Sequence, residues 1–293
     1  MTPQVHSFHD AATGSFTHLV WDRDGGHGAI IDPALDFEPA SARTGTKSAA
    51  RVLAFAQERG VAVDWILETH AHADHLSAAH WLKQQTGART GIGRGIIAVQ
   101  QHFAPLFGFE PEFRCDGSQF DRLFDDGDVL AIGTLQARLL ATPGHTADGM
   151  TYLVGNAAFI GDTLFAPDLG TARCDFPGGD ARTLHRSIRR LLGLPAATRL
   201  FLCHDYPPAT RPPQAHATVA AQEAGNTHLA GGCAEDVYVA LREARDATLP
   251  VPRLLLPALQ VNLRAGALPP PDADGIRRLR LPLDTPGIPG ATG

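Results

Sequence analysis

ETHAHADHLSAAHWL, residues 68–82, sets His70, His72, Asp74 and His75 within six consecutive positions. The run follows VAVDWIL (61–67), a short β-rich stretch, and reads as opening a helix from about Asp74 to Thr86, with Gly87 just past its end. Imidazole and carboxylate groups in a His-x-His-x-Asp-His pattern at a strand end suit a metal ion. The question is whether the rest of the chain supplies further ligands.

Three other apolar runs end the same way. LQARLLATPGH (135–145) ends at His145, AAFIGD (157–162) at Asp162 and RLFLCH (199–204) at His204. Rigid strands that share one edge position ligands better than free loops do. The full set is His70, His72, Asp74, His75, His145, Asp162 and His204. Mixed nitrogen and oxygen donors suit zinc, iron or manganese, and more than four of them imply two ions or a supporting shell. Cys203 adjoins His204 but is expected on the opposite face of its strand, as small core filler. His80 and His102 fall on helices and read as surface or core-edge residues.

The totals narrow the class. A chain of 293 residues with 44% hydrophobic and 19% charged residues has the composition of a globular protein with a sizeable core. No run approaches the roughly 18–20 apolar residues of a membrane span. MTPQVHSFHD lacks the basic and apolar regions of a secretory signal. A net charge of −6 argues against nucleic acid as the main partner. Four cysteines, Cys115, Cys174, Cys203 and Cys233, show no paired spacing, which points to a reducing cytoplasm. Fourteen histidines is the anomalous count.

Along the chain, 16–22 and 28–32 read as strands around a turn, and Lys47–Arg59 as a helix closed by Gly60. Residues 96–107 look helical up to Pro105, and 120–161 read as a β-meander. Asp180–Leu192 is an amphipathic helix with Leu184, Ile188, Leu191 and Leu192 on one face. A further helix, about 234–247, carries Val237, Leu241 and Ala244 on one side. The organisation expected is one domain over 1–249 and a proline-rich extension over 250–293, whose end, TPGIPGATG, reads as disordered. Strands then helix, in two passes, suggest two packed sheets with helices outside.

THAHADH (69–75), PGHTADGMTY (143–152), IGDTLF (160–165) and CHDY (203–206), in this order, resemble the metallo-β-lactamase fold superfamily over about residues 15 to 215. The resemblance implies an α+β four-layer αββα sandwich with a metal site at the edge between its sheets. The stretch 161–206 is similar to the persulfide dioxygenase branch, including bacterial β-lactamase-like hydrolases associated with sulfide detoxification. That branch implies one Fe(II) per chain on His70, His145 and Asp162, a facial triad with open positions. His72, Asp74, His75 and His204 would then orient those ligands by hydrogen bonds, or hold a second ion. Arg173 matches an arginine that lies near the substrate in that branch, where a cation suits an anionic persulfide or a glutathione carboxylate.

The branch often has threonine where this chain has Cys174, so a different pocket wall is expected there. The stretch 90–118 is longer than in compact relatives, and the tail lacks an evident glutathione-binding lysine pattern. The implied substrates are a thiol persulfide and O₂, without nucleic acid or membrane, and a homodimer is allowed. The alternative is a glyoxalase II-like thioesterase with two Zn(II) per chain. A non-catalytic metal sensor ranks last, because the ligand set is intact.

Overall fold

The computed structural model describes residues 2–229 and 232–285. Strands β1 (Gln4–Asp10), β2 (Ser15–Trp21) and β3 (His27–Ile31) pair antiparallel in a meander. A small hairpin follows, β4 (Ala34–Glu38) and β5 (Arg43–Gly45), and then helix α1 (Lys47–Glu58). From there the chain alternates: β6 (Ala62–Leu67), the two-residue β7 (Leu76–Ser77), α2 (Ala79–Thr86), β8 (Arg89–Gly93), α3 (Ile96–Phe107) and β9 (Arg122–Phe124). Strands β6, β8 and β9 extend the first sheet in parallel, giving the order β1-β2-β3-β6-β8-β9.

The second sheet is the expected meander. It runs β10 (Val129–Ile132), β11 (Leu135–Ala141), β12 (Met150–Val154) and β13 (Ala157–Phe159). After α4 (Ala181–Leu192) come β14 (Arg199–Phe201), parallel to β13, and β15 (His216–Thr218). Helices α5 (Val219–Gly225), α6 (Glu235–Asp246) and α7 (Leu255–Asn262) close the described chain.

The two sheets meet face to face. Val20, Ile31, Trp65, Leu67 and Phe124 from the first pack against Leu139, Tyr152, Val154, Phe159 and Phe201 from the second. On the outside, Leu19, Ile30 and Ile66 pack on Val52, Ala56 and Leu82 of α1 and α2, while Ile160, Leu200 and Leu202 pack on Leu184, Ile188 and Leu191 of α4. The result is the expected αββα sandwich, driven by burial of both faces of each sheet.

Four local expectations change. The helix expected from Asp74 begins at Ala79, because Asn262, Asp148 and Pro33 satisfy backbone groups between residues 71 and 78 in place of helical bonds. Helix α3 runs through Pro105 to Phe107 instead of stopping. On α6 the apolar side faces out: Val237 and Leu241 are exposed, whereas Tyr238, Arg242 and Asp246 are buried. Periodicity located the helix but misread its inner face, because that face is held by an ion pair. Within the proline-rich stretch, α7 buries Leu255, Ala258, Leu259 and Val261, and its Leu255 and Leu259 form one cluster with Ile96, Phe103 and Phe107 of α3. The long 90–118 stretch and the C-terminal stretch therefore pack on each other. The reading of TPGIPGATG as disordered falls, beyond Thr285, outside the described residues.

Candidate metal centre

Loops that follow four strands converge at one end of the sandwich. His70 lies three residues past β6, His145 four past β11, and Asp162 and His204 three past β13 and β14. Two of these loops depend on the glycine before the ligand. Gly144 holds φ 130°, and a Cβ there would sit 2.3 Å from Leu184 Cα. Gly161 holds φ 53°, and a Cβ would sit 2.7 Å from Thr69 Oγ1, the group that holds His70. Ligand and preceding glycine are one device in each loop.

Hydrogen bonds fix which imidazole nitrogen faces inward. The Thr69 hydroxyl donates to Asp32 Oδ2 at 2.9 Å, so it accepts from His70 Nδ1 at 3.0 Å. His145 Nδ1 donates to the Arg173 carbonyl at 2.6 Å. Both rings are thereby left with a bare Nε2 lone pair, the form a metal requires. Ligand atoms of His70, His145 and Asp162 all lie within 4.8 Å of one another. His145 Nε2 is 3.6 Å from Asp162 Oδ2, while Asp162 Oδ1 is 3.6 Å from His204 Nε2. The carboxylate spans two positions.

A second group joins His72, Asp74, His75 and His204 within the same 4.8 Å limit. His72 Nε2 donates to Asp32 at 3.0 Å and lies 3.2 Å from Glu68, which accepts from the Ser77 hydroxyl. His72 thus presents Nδ1 to the cluster with a carboxylate behind it, an arrangement that raises the ligand's basicity. Asp74 Oδ2 is 3.1 Å from His204 Nδ1.

Orphaned polar atoms concentrate here. His70 Nε2, Asp74 Oδ2, both nitrogens of His75, Asp162 Oδ1 and both nitrogens of His204 are buried without a hydrogen-bond partner. Leaving so many groups unpaired would cost several kcal/mol in all, at about 1–3 kcal/mol each. A divalent cation removes that cost, so the residues fit a metal. Electrostatics agree: burial pushes His145 and His204 down to about 4 and His70 well below its ordinary value, keeping these rings neutral and ligating. Burial, helped by the neighbouring Asp74 charge, pushes Asp162 well above the usual carboxylate range. A bound cation would reverse that shift.

Several supports escaped the sequence reading. The Asn262 side chain donates to the carbonyls of His72 and His75, at 2.7 and 2.8 Å, and accepts from Ser77 N at 2.7 Å. Asp148 accepts from Ala71 N at 2.7 Å. On the other side, the buried Arg242–Asp246 pair of α6 holds the backbone at 171–174. Arg242 donates to Thr171 O at 2.8 Å and pairs with Asp246 at 2.6 Å, and Asp246 accepts from Cys174 N at 2.9 Å. Between those anchors lies the Arg173 carbonyl that orients His145. The partial signals for these residues were "TAD" after His145 and a buried asparagine in an apolar helix; neither has a ligand's spacing.

Asn262→Ala should therefore lower metal affinity about 10- to 100-fold, as loss of a supporting partner does elsewhere. Competition against a chromophoric chelator measures it. Wild-type affinity in the variant would reduce α7 to a packing element.

Two cysteine expectations are corrected. Cys203 faces the cluster, 3.9 Å from His72 Nδ1, because β14 ends at Phe201 and strict alternation ends with it. Cys174 is not on a pocket wall; it is buried behind the 171–174 segment with its thiol 3.4 Å from Asp246, and burial with that carboxylate pushes it up to about 12. Arg173 lies on the pocket wall, but its guanidinium is bidentate to Asp175 at 2.7 Å and donates to Pro250 O at 2.6 Å.

Beside the cluster opens a cavity of about 830 Å³, whose walls include Asp74, His145, Asp162, Arg173, Phe176 and Tyr206. Arg245 and Arg253 also line it, and among the described residues neither has an ion pair, whereas Asp168 on the same wall is paired with Arg211.

The family model of the metallo-beta-lactamase superfamily matches residues 11–204. The chain belongs to the metallo-beta-lactamase superfamily. The matched span ends at His204, so every metal-ligand candidate lies inside it, while Arg242, Asp246 and Asn262 lie beyond. A probable metallo-hydrolase of Burkholderia pseudomallei is 53% identical over 96% of this chain and 99% of its own. Glyoxylase B2 of Dictyostelium discoideum is 44% identical, over 94% of each. The human mitochondrial persulfide dioxygenase ETHE1 is 27% identical over 87% of this chain and 86% of its own. Of some other relatives, about 50% identical, the chain spans 65% of the length. Among solved structures, ETHE1 from Myxococcus xanthus superposes with a TM-score of 0.72 at 26% identity, over 91% of this chain and 100% of that one. No helix among the described residues is long and apolar enough to cross a membrane.

Proposed function

We propose that this superfamily member is an iron-dependent persulfide dioxygenase, oxidising a thiol persulfide such as glutathione persulfide with O₂ to sulfite and free thiol. The observation that carries the reading is the His70–His145–Asp162 group, with both tautomers preset, at the wall of a large cavity. Two imidazoles and one carboxylate can form a facial triad, which leaves the opposite face open for O₂ and substrate. Iron held there would supply the electron exchange with O₂ that no side chain offers.

The chain's own residues do the rest. His145 and Asp162 meet the cavity, while His70, His72, His75 and His204 are buried behind it and hold the geometry. Phe165, Leu169, Phe176 and Leu254 line the cavity and exclude water from an oxidisable substrate. Arg245 and Arg253 are the cations left for a carrier's carboxylates, since Asp175 compensates Arg173. In the net reaction the outer sulfur is oxidised and leaves as sulfite, O₂ is reduced, and water supplies the remaining oxygen. The likeness to proteins named ETHE1 and persulfide dioxygenase supports this reading.

A second reading has its own support: a di-zinc thioesterase. The donors of His72, Asp74, His75 and His204 could hold a second ion, and a relative at 44% identity is named Glyoxylase B2. Oxygen separates the two, because zinc offers no redox chemistry. Protein purified without added metal should carry about one iron per chain, consume O₂ when given glutathione persulfide, and release sulfite. It should hydrolyse S-lactoylglutathione poorly. Rapid thioester hydrolysis under nitrogen by a protein with two zincs per chain would establish the second reading instead.

A further inference from the structure

The thiol of Cys203 sits where no apolar filler belongs. It is 1% exposed, and its neighbours are ionisable: Asp32 and His72 on one side, Asp162 and His204 on the other. Its Sγ falls within 4.8 Å of ligand atoms of both Asp162 and His204, which are themselves mutually within that limit. Asp162 Oδ1 and His204 Nε2, buried and 3.6 Å apart, have no hydrogen-bond partner. The sulfur, a carboxylate oxygen of Asp162 and a ring nitrogen of His204 therefore bound one small space. This group and the His70–His145–Asp162 group share Asp162.

We propose that Cys203 is a metal ligand, adding a sulfur donor beside His204 and Asp162 to the second-ion position described above, which then takes a thiophilic divalent cation such as zinc or cobalt. Sulfur donors select soft and borderline cations, while an all-nitrogen-and-oxygen position does not. The ligating form is the thiolate, so binding forms a metal–sulfur bond and releases the thiol proton to solvent. The assignment rests on the second, two-ion reading; the sulfur band is read independently of turnover, so its absence refutes the ligand and leaves that reading to the activity assays.

Cobalt is the probe. The full chain, produced in cobalt-supplemented medium and brought to two equivalents of Co(II), should show a near-ultraviolet sulfur-to-cobalt charge-transfer band. Cys203→Ala should lose that band and keep the visible cobalt bands of the His70–His145–Asp162 position; Cys174→Ala should keep both. A wild-type spectrum without the sulfur band, or a band that survives in Cys203→Ala, overturns the assignment. Should Cys203→Ala fail to fold, X-ray absorption of the zinc-loaded wild type decides the matter. A sulfur scatterer at about 2.3 Å is expected, and a shell of nitrogen and oxygen alone refutes it.

Discussion

Asp162→Ala will strip metal and activity from the protein together. Its two oxygens face different imidazoles, Oδ2 toward His145 and Oδ1 toward His204, each at 3.6 Å. Among the described residues it is the carboxylate within 4 Å of both histidines. Loss of a direct ligand should exceed the about 10- to 100-fold that loss of a supporting partner costs. Metal analysis after gel filtration and turnover on the same sample are the measurements. Stability gives an independent sign. Without metal, Asp162 is a buried acid with an unpartnered oxygen, so metal-free Asp162→Ala should melt no lower than metal-free wild type. The stabilisation that metal gives the wild type should vanish in the variant. His80→Ala, on the exposed side of α2, is the control and should retain metal. A fully loaded, active Asp162→Ala would mean that the centre is misassigned.

Arg242→Met should unfold the protein more readily, by about 3–5 kcal/mol, because it leaves the Asp246 carboxylate buried without its counter-ion. Urea denaturation measures the loss. Adding Asp246→Leu should recover much of that stability, since a buried pair can be replaced by apolar groups at little cost. It should not recover metal affinity, because the Cys174 N–H then loses the acceptor that fixes the segment carrying the Arg173 carbonyl. A double variant that binds metal like wild type would confine the pair to a structural role.

Much of the centre is legible in the amino-acid sequence. His70, His72, Asp74, His75, His145, Asp162 and His204 all meet at one end of the sandwich, because each follows an apolar strand by a few residues. Their type and spacing are local properties of sequence, set by what a cation accepts and by where strands stop. The layers were legible for the same reason. Period-two and period-3.6 burial can be read one segment at a time.

What only the tertiary structure decided is everything that acts across the chain. Asn262 is 190 residues from His72, whose carbonyl it binds. Arg242 is 71 residues from Thr171. Neither has a pattern of its own, since a buried amide or guanidinium is defined by a partner that sequence order does not bring near. Cys203 turned toward the cluster because its strand ended two residues early, and a strand's last residue is set by pairing with β13 and β15. The sequence alone determined which residues stand as ligand candidates, and the glycines before His145 and Asp162. Long-range hydrogen bonds decided which nitrogen of each ring faces inward, and which side chains hold the loops still.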